Sequence, residues 1–222
     1  MVKVRVWDLP TRLFHMGLAL CVLALVITGN IGGNAMVWHF RLGYAVLTLL
    51  LFRLVWGFLG GHWSRWSSLS IHPRSIMAYL RSSSRTLYAG HNPLGSLSVL
   101  ALLGMLVLQV GTGMISDDEI ANAGPFVPWV SSSVSALATH WHTETGKRLL
   151  LVLIALHLVA IWFYRRFKKQ HLTKAMVLGD QWFSEAVTPS RDDGLARCLA
   201  LVVFLACAAL IYALSLMAPS IS

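Results

Sequence analysis

Five apolar stretches, at about 11–31, 37–59, 95–116, 143–164 and 195–217, are each long enough for a helix to cross a bilayer. No other feature constrains the fold as tightly, because hydrocarbon tolerates only structures that pair all their own backbone groups. The chain has 222 residues, 56% of them hydrophobic and 12% charged, with a mean hydropathy of +0.66, too apolar for a soluble domain of this length. The sequence predicts an all-α integral membrane protein, with a four-helix transmembrane bundle in residues 1–180 and a linker plus fifth C-terminal helix in 181–222. Asp8 and Pro10 suit the start of the first helix, and Asn92 followed by Pro93 suits the start of the third.

The net charge is +9, yet no nucleic-acid motif accompanies it, and the basic residues sit beside apolar segments. They mark cytoplasmic flanks instead. Lys3, Arg5 and Arg12 precede the first helix, and Arg65, Arg74, Arg81 and Arg85 follow the second. Arg165, Arg166, Lys168, Lys169 and Lys174 follow the fourth, whereas Asp117, Asp118 and Glu119 follow the third. This predicts a multi-pass protein of a bacterial inner membrane with its N-terminus cytoplasmic and its C-terminus periplasmic. The N-terminal apolar run lacks an A-x-A site and contains His15, so it reads as a retained helix. The segments IHPRSIMAYLRSSSRTLYAG and KKQHLTKAMVLGDQWF read as interfacial helices. Cys21, Cys198 and Cys207 lie in apolar stretches, suggesting no disulfide framework, and no C-x-x-C-H is present for covalent haem attachment.

An ionisable side chain in a membrane helix is costly, so it reads as functional by default. His15 lies early in the first helix and His157 late in the fourth; both belong near the cytoplasmic face. His39 opens the second helix and His142 the fourth, both near the outer face. His157 follows His142 by fifteen residues, or about 22 Å of helix, and the pair differ by only about 60° around its axis. Two facing imidazoles at one depth suit axial ligation of a flat iron macrocycle, so two pairs predict two b-type haems. The structural alternative, a histidine resting at the interface, suits His62, His72 and His171. His140 competes with His142 for the ligand role.

Arg12 and Arg53 on the inner side, and Arg41, Lys147 and Arg148 on the outer side, could pair with haem propionates or snorkel to lipid headgroups. Gly43, four residues after His39, is the glycine expected against a haem face. Gly17, Gly57, Gly104, Gly111 and Gly113 suit ordinary helix packing. Trp38, Trp56, Trp129, Trp141 and Trp162 read mostly as an interfacial belt.

Four segments in order, VWDLPTRLFH at 6–15, WHFRLGYAVLTLLLFRLVWGFLG at 38–60, GHNPLGSLSVLALL at 90–103 and WHTETGKRLLLVLIALH at 141–157, resemble the bacterial cytochrome b561 family. That family includes the cytochrome b subunits of nickel-iron hydrogenases. The resemblance implies a four-helix core with b haems exchanging electrons with quinone, and carries ligand roles to His15, His39, His142 and His157. It also includes His91, at the start of the third helix, as a contact to a propionate, to quinone or to the interface. The family often spaces its fourth-helix histidines by fourteen; here an extra residue stands near Thr143.

The expected function is electron transfer between the quinone pool and a membrane or periplasmic redox partner such as a hydrogenase, a dehydrogenase or a cytochrome c. On the same scaffold a stand-alone superoxide:quinone oxidoreductase would need a basic pocket near the outer haem, for which Arg41, Lys147 and Arg148 are available. A metal-ion transporter using HWH at 140–142 is the third reading, weakened by the lack of Asp or Glu in the central parts of the helices.

Overall fold

Apolar runs flanked by caps become helices where the sequence places them. The computed structural model describes residues 1–81, 87–120 and 122–216. In chain order these form β1 (Val2–Arg5), α1 (Leu9–Ile31), α2 (Met36–Leu59), α3 (Pro73–Arg81) and α4 (Pro93–Met114), followed by α5 (Ser132–Lys168), α6 (Leu172–Leu178), β2 (Asp180–Phe183) and α7 (Gly194–Leu216). Among the described residues, α1, α2, α4, α5 and α7 are long and apolar enough to cross a membrane, so the chain is an all-α multi-pass membrane protein. Arg85, counted above among the inner flanks, and residue 217, the expected end of the fifth helix, lie outside the described residues.

Helix α5 is longer than its apolar run predicted. Ser131 caps its start by accepting from the Val134 N–H, and Trp141–Thr145 then forms one π-helical turn before α-helix resumes at Gly146. A π-turn accommodates one extra residue without breaking the helix. Thr143, near which the resemblance places an extra residue, lies in this turn.

The chain divides into two compact units. The first comprises Met1–Met16, Arg53–Ala101 and Ile154–Val203. Outside the spans the sequence expected two short helices here, and helices are present at both places, as α3 and α6. It did not predict the antiparallel pairing of β1 with β2, in register Val2↔Phe183 to Arg5↔Asp180. Val4, Val6, Trp7, Ala175 and Phe183 form a buried cluster around that ribbon. Lys3 and Arg5 pair with Asp180 at 3.1 and 3.0 Å, and Ser190 donates from its backbone N–H to the Arg5 carbonyl and from Oγ to that of Val6.

Asp8 caps α1 as expected, accepting from the Thr11 N–H at 2.8 Å. It is fully buried and also accepts from the Gly61 N–H at 2.9 Å, Ser64 Oγ at 2.8 Å and Trp56 Nε1 at 3.3 Å. Trp56 is therefore a core residue and not part of an interfacial belt. Asn92 caps α4, accepting from the Gly95 N–H at 2.8 Å.

The second unit comprises Gly17–Phe52, Leu102–Leu153 and Phe204–Ser222. Leu18, Val46, Leu50, Phe52, Met105, Leu106, Ala138, Leu150, Cys207 and Ile211 are its buried apolar residues among those described, with Phe52 edge-on to Phe204 at 6.0 Å. Helices α4 and α5 are joined by a loop in which Asp117 bridges to Ala123 and the Asp118 carboxylate accepts from the Ile120 and Asn122 N–H groups.

Candidate functional site

The histidines meet as the depth argument predicts. In the first unit, His15 on α1 and His157 on α5 have ring centroids 6.4 Å apart. In the second, His39 on α2 and His142 on α5 have centroids 6.0 Å apart with rings perpendicular. His140, His62, His72 and His171 are exposed. His142 therefore faces His39, and its rival His140 does not.

A metal–imidazole bond of about 2 Å plus a ring radius of about 1 Å on each side requires centroids about 6 Å apart for two axial ligands on one iron. Both pairs meet this spacing. A ligating imidazole also needs a free nitrogen lone pair, fixed by what its other nitrogen bonds. His142 Nδ1 lies 2.8 Å from the Gln109 carbonyl, and His39 Nδ1 lies 3.1 Å from that of Leu25. A carbonyl only accepts, so each Nδ1 carries the proton and each Nε2 keeps its lone pair.

Beside the outer pair is a cavity of about 410 Å³ lined by His39, His142, Gly43, Gly113, Leu106 and Lys147, a volume within the range of ligand pockets. A Cβ at Gly43 would meet nothing within 4 Å, as a position facing a macrocycle requires. Lys147 lines the cavity, but Arg41 is exposed with its guanidinium 5.1 Å above the Trp38 ring. Arg148 is paired with Glu144. Of the three outer cations singled out from the sequence, one lines the cavity.

Near the inner pair, Arg53 is buried and stacked at 4.3 Å over Trp66, with Nη1 lacking a hydrogen-bond partner among the described residues. His91 packs against Trp7 at 4.7 Å, and its Nδ1 and that of His15 likewise lack partners. Burial, reinforced by the charges of Arg53, His15 and His157, pushes His91 down to about 4, so its ring is neutral at pH 7. A buried guanidinium with an unused N–H beside the neutral His91 imidazole fits an anionic carboxylate such as a propionate. Arg12 is committed elsewhere, its Nε donating to the Val177 carbonyl at 3.1 Å, which ties α1 to α6.

Sequence reasoning missed Gly29 and Gln109. A Cβ on Gly29 would stand 3.0 Å from His39 Cε1. The Gln109 side chain donates from Nε2 to the His142 carbonyl at 2.6 Å, holding the π-turn. The signal available was a Thr-Gly pair: Gly29 belongs to Thr28-Gly29, and Gln109 stands one turn before Thr112-Gly113.

The family model described as prokaryotic cytochrome b561 matches residues 6–179. Similar proteins include the probable Ni/Fe-hydrogenase B-type cytochrome subunit of Bradyrhizobium diazoefficiens, 22% identical over 82% of this chain and 87% of that one. The protein of the same name from Azotobacter chroococcum is 26% identical over 82% and 90%. The probable Ni/Fe-hydrogenase 1 B-type cytochrome subunit of Escherichia coli K12 is 24% identical over 56% and 64%. No solved structure matches.

Proposed function

The chain belongs to the prokaryotic cytochrome b561 family, and from that premise we propose that it is a di-haem b cytochrome passing electrons between a redox partner and the quinone pool. The observation that carries this reading is the pair of histidine couples, at 6.4 and 6.0 Å, with one in each unit. When bound, haem with both axial positions filled supplies reversible one-electron exchange rather than dioxygen activation.

The protein's part is ligation, orientation and charge. His15 with His157, and His39 with His142, would each hold one haem iron. Arg53 and His91 would receive the inner propionates and Lys147 an outer one, and Gly43 would give room for the ring. The carbonyls of Leu25 and Gln109 hold the outer imidazoles in the ligating tautomer. Residues 1–180 form the di-haem part, and 181–222 add a linker and the fifth span.

The basic flanks support an inner-membrane orientation with the N-terminus cytoplasmic and the C-terminus periplasmic. The names of the relatives support a redox partner of the hydrogenase kind; the proposed orientation puts such a partner on the periplasmic side, where a dehydrogenase or a cytochrome c would be the alternative partners. A stand-alone superoxide:quinone oxidoreductase is the weaker reading, since Lys147 alone of its three cations lines the outer cavity. Metal transport is weaker still: among the described residues no three His, Cys, Asp or Glu side chains gather as a metal site.

The test is to add a short-chain quinol anaerobically to the detergent-purified protein and record its α-band. Reduction of b haem without any partner protein supports exchange with quinone; a spectrum unmoved by quinol yet fully reduced by dithionite contradicts it. Superoxide, supplied separately, reduces the haem directly only under the stand-alone reading.

A further inference from the structure

Helices α1 and α4 present the same local arrangement to the two outer histidines. On α1 the Leu25 carbonyl accepts from His39 Nδ1 at 3.1 Å. Three residues on, Thr28 Oγ1 donates to the Ala24 carbonyl at 2.8 Å, with that of Leu25 at 3.3 Å, and lies 3.2 Å from His39 Nδ1. At the fourth residue, a Cβ on Gly29 would stand 3.2 Å from the same Nδ1.

On α4 the Gln109 carbonyl accepts from His142 Nδ1 at 2.8 Å, and Thr112 Oγ1 donates to the Leu108 carbonyl at 2.8 Å and to that of Gln109 at 3.1 Å. A Cβ on Gly113 would stand 2.8 Å from His142 Cε1 and 3.0 Å from Nδ1. The segments LVITG at 25–29 and QVGTG at 109–113 are thus two copies of one pattern, an acceptor carbonyl followed by Thr at the third position and Gly at the fourth.

The geometry of a helix explains the spacing. A helical carbonyl points toward the side chain four residues on, so a side chain there covers the lone pair not used by the backbone. Glycine uncovers it. Threonine one position earlier folds its hydroxyl back onto the helix carbonyls, which tilts them outward and shares the acceptor with the imidazole. Among the described residues His15 of the inner pair has no such acceptor, since its Nδ1 is buried without a partner.

We propose that Thr28-Gly29 and Thr112-Gly113 are positioning cradles that fix the rotation and tautomer of the outer ligands and set the reduction potential of the outer centre. The inference rests on the bis-histidine reading of that pair. An imidazole whose N–H is held by a carbonyl is the more basic ligand and favours oxidised iron. Crowding the ring off its acceptor raises the potential; freeing the acceptor from its competing hydroxyl lowers it.

The test is a potentiometric titration of wild type, Gly113→Ala, Thr112→Val and Thr112→Ser, with the outer wave identified as the one that His39→Ala removes. The expected result is an outer wave that moves up in Gly113→Ala, down in Thr112→Val and stays in place in Thr112→Ser, with the inner wave unmoved. Low-spin haem resonances of the outer centre shift in parallel. Should Gly113→Ala fail to fold, the Thr112 pair decides alone. Equal displacement of both waves, or an outer wave indifferent to Thr112→Val, overturns the cradle. A wild type with fewer than two haems overturns the di-haem reading beneath it instead.

Discussion

His142 and Gln109 hold each other twice: the imidazole donates to the Gln109 carbonyl at 2.8 Å, and the Gln109 amide donates to the His142 carbonyl at 2.6 Å. One bond orients the ring, and the other fixes the backbone of the π-turn from which it projects. The arrangement depends on Gly146, where a Cβ would collide with Gln109 Oε1 and lie 2.6 Å from Trp141 Nε1.

Replacing Gln109 with Leu leaves the π-turn carbonyl without its donor, while Gln109→Glu puts an acceptor where a donor is needed. Loss of such support around a metal ligand costs about 10- to 100-fold in affinity. Both variants are expected to lose the outer haem faster to an apoprotein trap, with the inner haem unaffected. Equal release rates in variant and wild type would show that the clamp is incidental.

The π-turn Trp141–Thr145 accommodates one residue more than α-helix would, so deleting Thr143 should convert the turn to α-helix and leave both ligands facing their partners. Deleting Val152, within the regular run Gly146–Phe163, instead turns His157 by about 100° relative to His142. The first deletion is expected to keep two haems per chain and the second to keep one. The opposite ranking would mean that the turn is not the site of accommodation.

Asp8 accepts four hydrogen bonds with no exposure to solvent, joining the start of α1 to the end of α2. Removing a buried charged acceptor strands its donors, at a cost of about 3 kcal/mol or more. Asp8→Ala should therefore unfold at clearly lower temperature, as followed by the haem band. An unchanged midpoint would remove Asp8 from the account of how α1 is anchored.

Acid should loosen the β1 segment through Asp192. Burial pushes this carboxyl up, but hydrogen bonds from Arg197 and the Leu9 N–H, with the charges of Arg197 and Arg5, outweigh it and hold it below the usual carboxylate range. A lowered folded pKa stabilises the fold above the ordinary value of about 3.9, and that contribution is lost as pH falls through the folded value. Protease protection of the N-terminal segment should fall over that acid window in wild type. Asp192→Asn should be less protected at neutral pH and respond less to acid; identical curves would contradict the assignment.

The helical spans were legible because each is a local pattern, and so were the caps at Asp8 and Asn92, where a polar oxygen meets the first unpaired N–H groups. The histidine pairs were legible because depth follows from charge bias and helix rise alone. The β1–β2 ribbon was not: its partners lie at opposite ends of the chain, and its only local trace is the alternation Val2, Val4, Val6. Trp56 read as interfacial because composition cannot show that an indole N–H has a buried carboxylate to meet. Arg12, Arg41 and Arg148 lie near the right depths, but what each guanidinium engages depends on packing that sequence spacing does not encode. Gly29 went unread because its role exists only when the His39 ring lies over it.

The central claim is that His15 with His157 and His39 with His142 each hold one haem b. A pyridine haemochrome count per chain on the detergent-purified protein and on His39→Ala and His157→Ala tests it most directly. The account predicts two haems b in wild type and one in each variant, with different α-band positions remaining. A wild type with one haem or none, or a variant that keeps both, would contradict it.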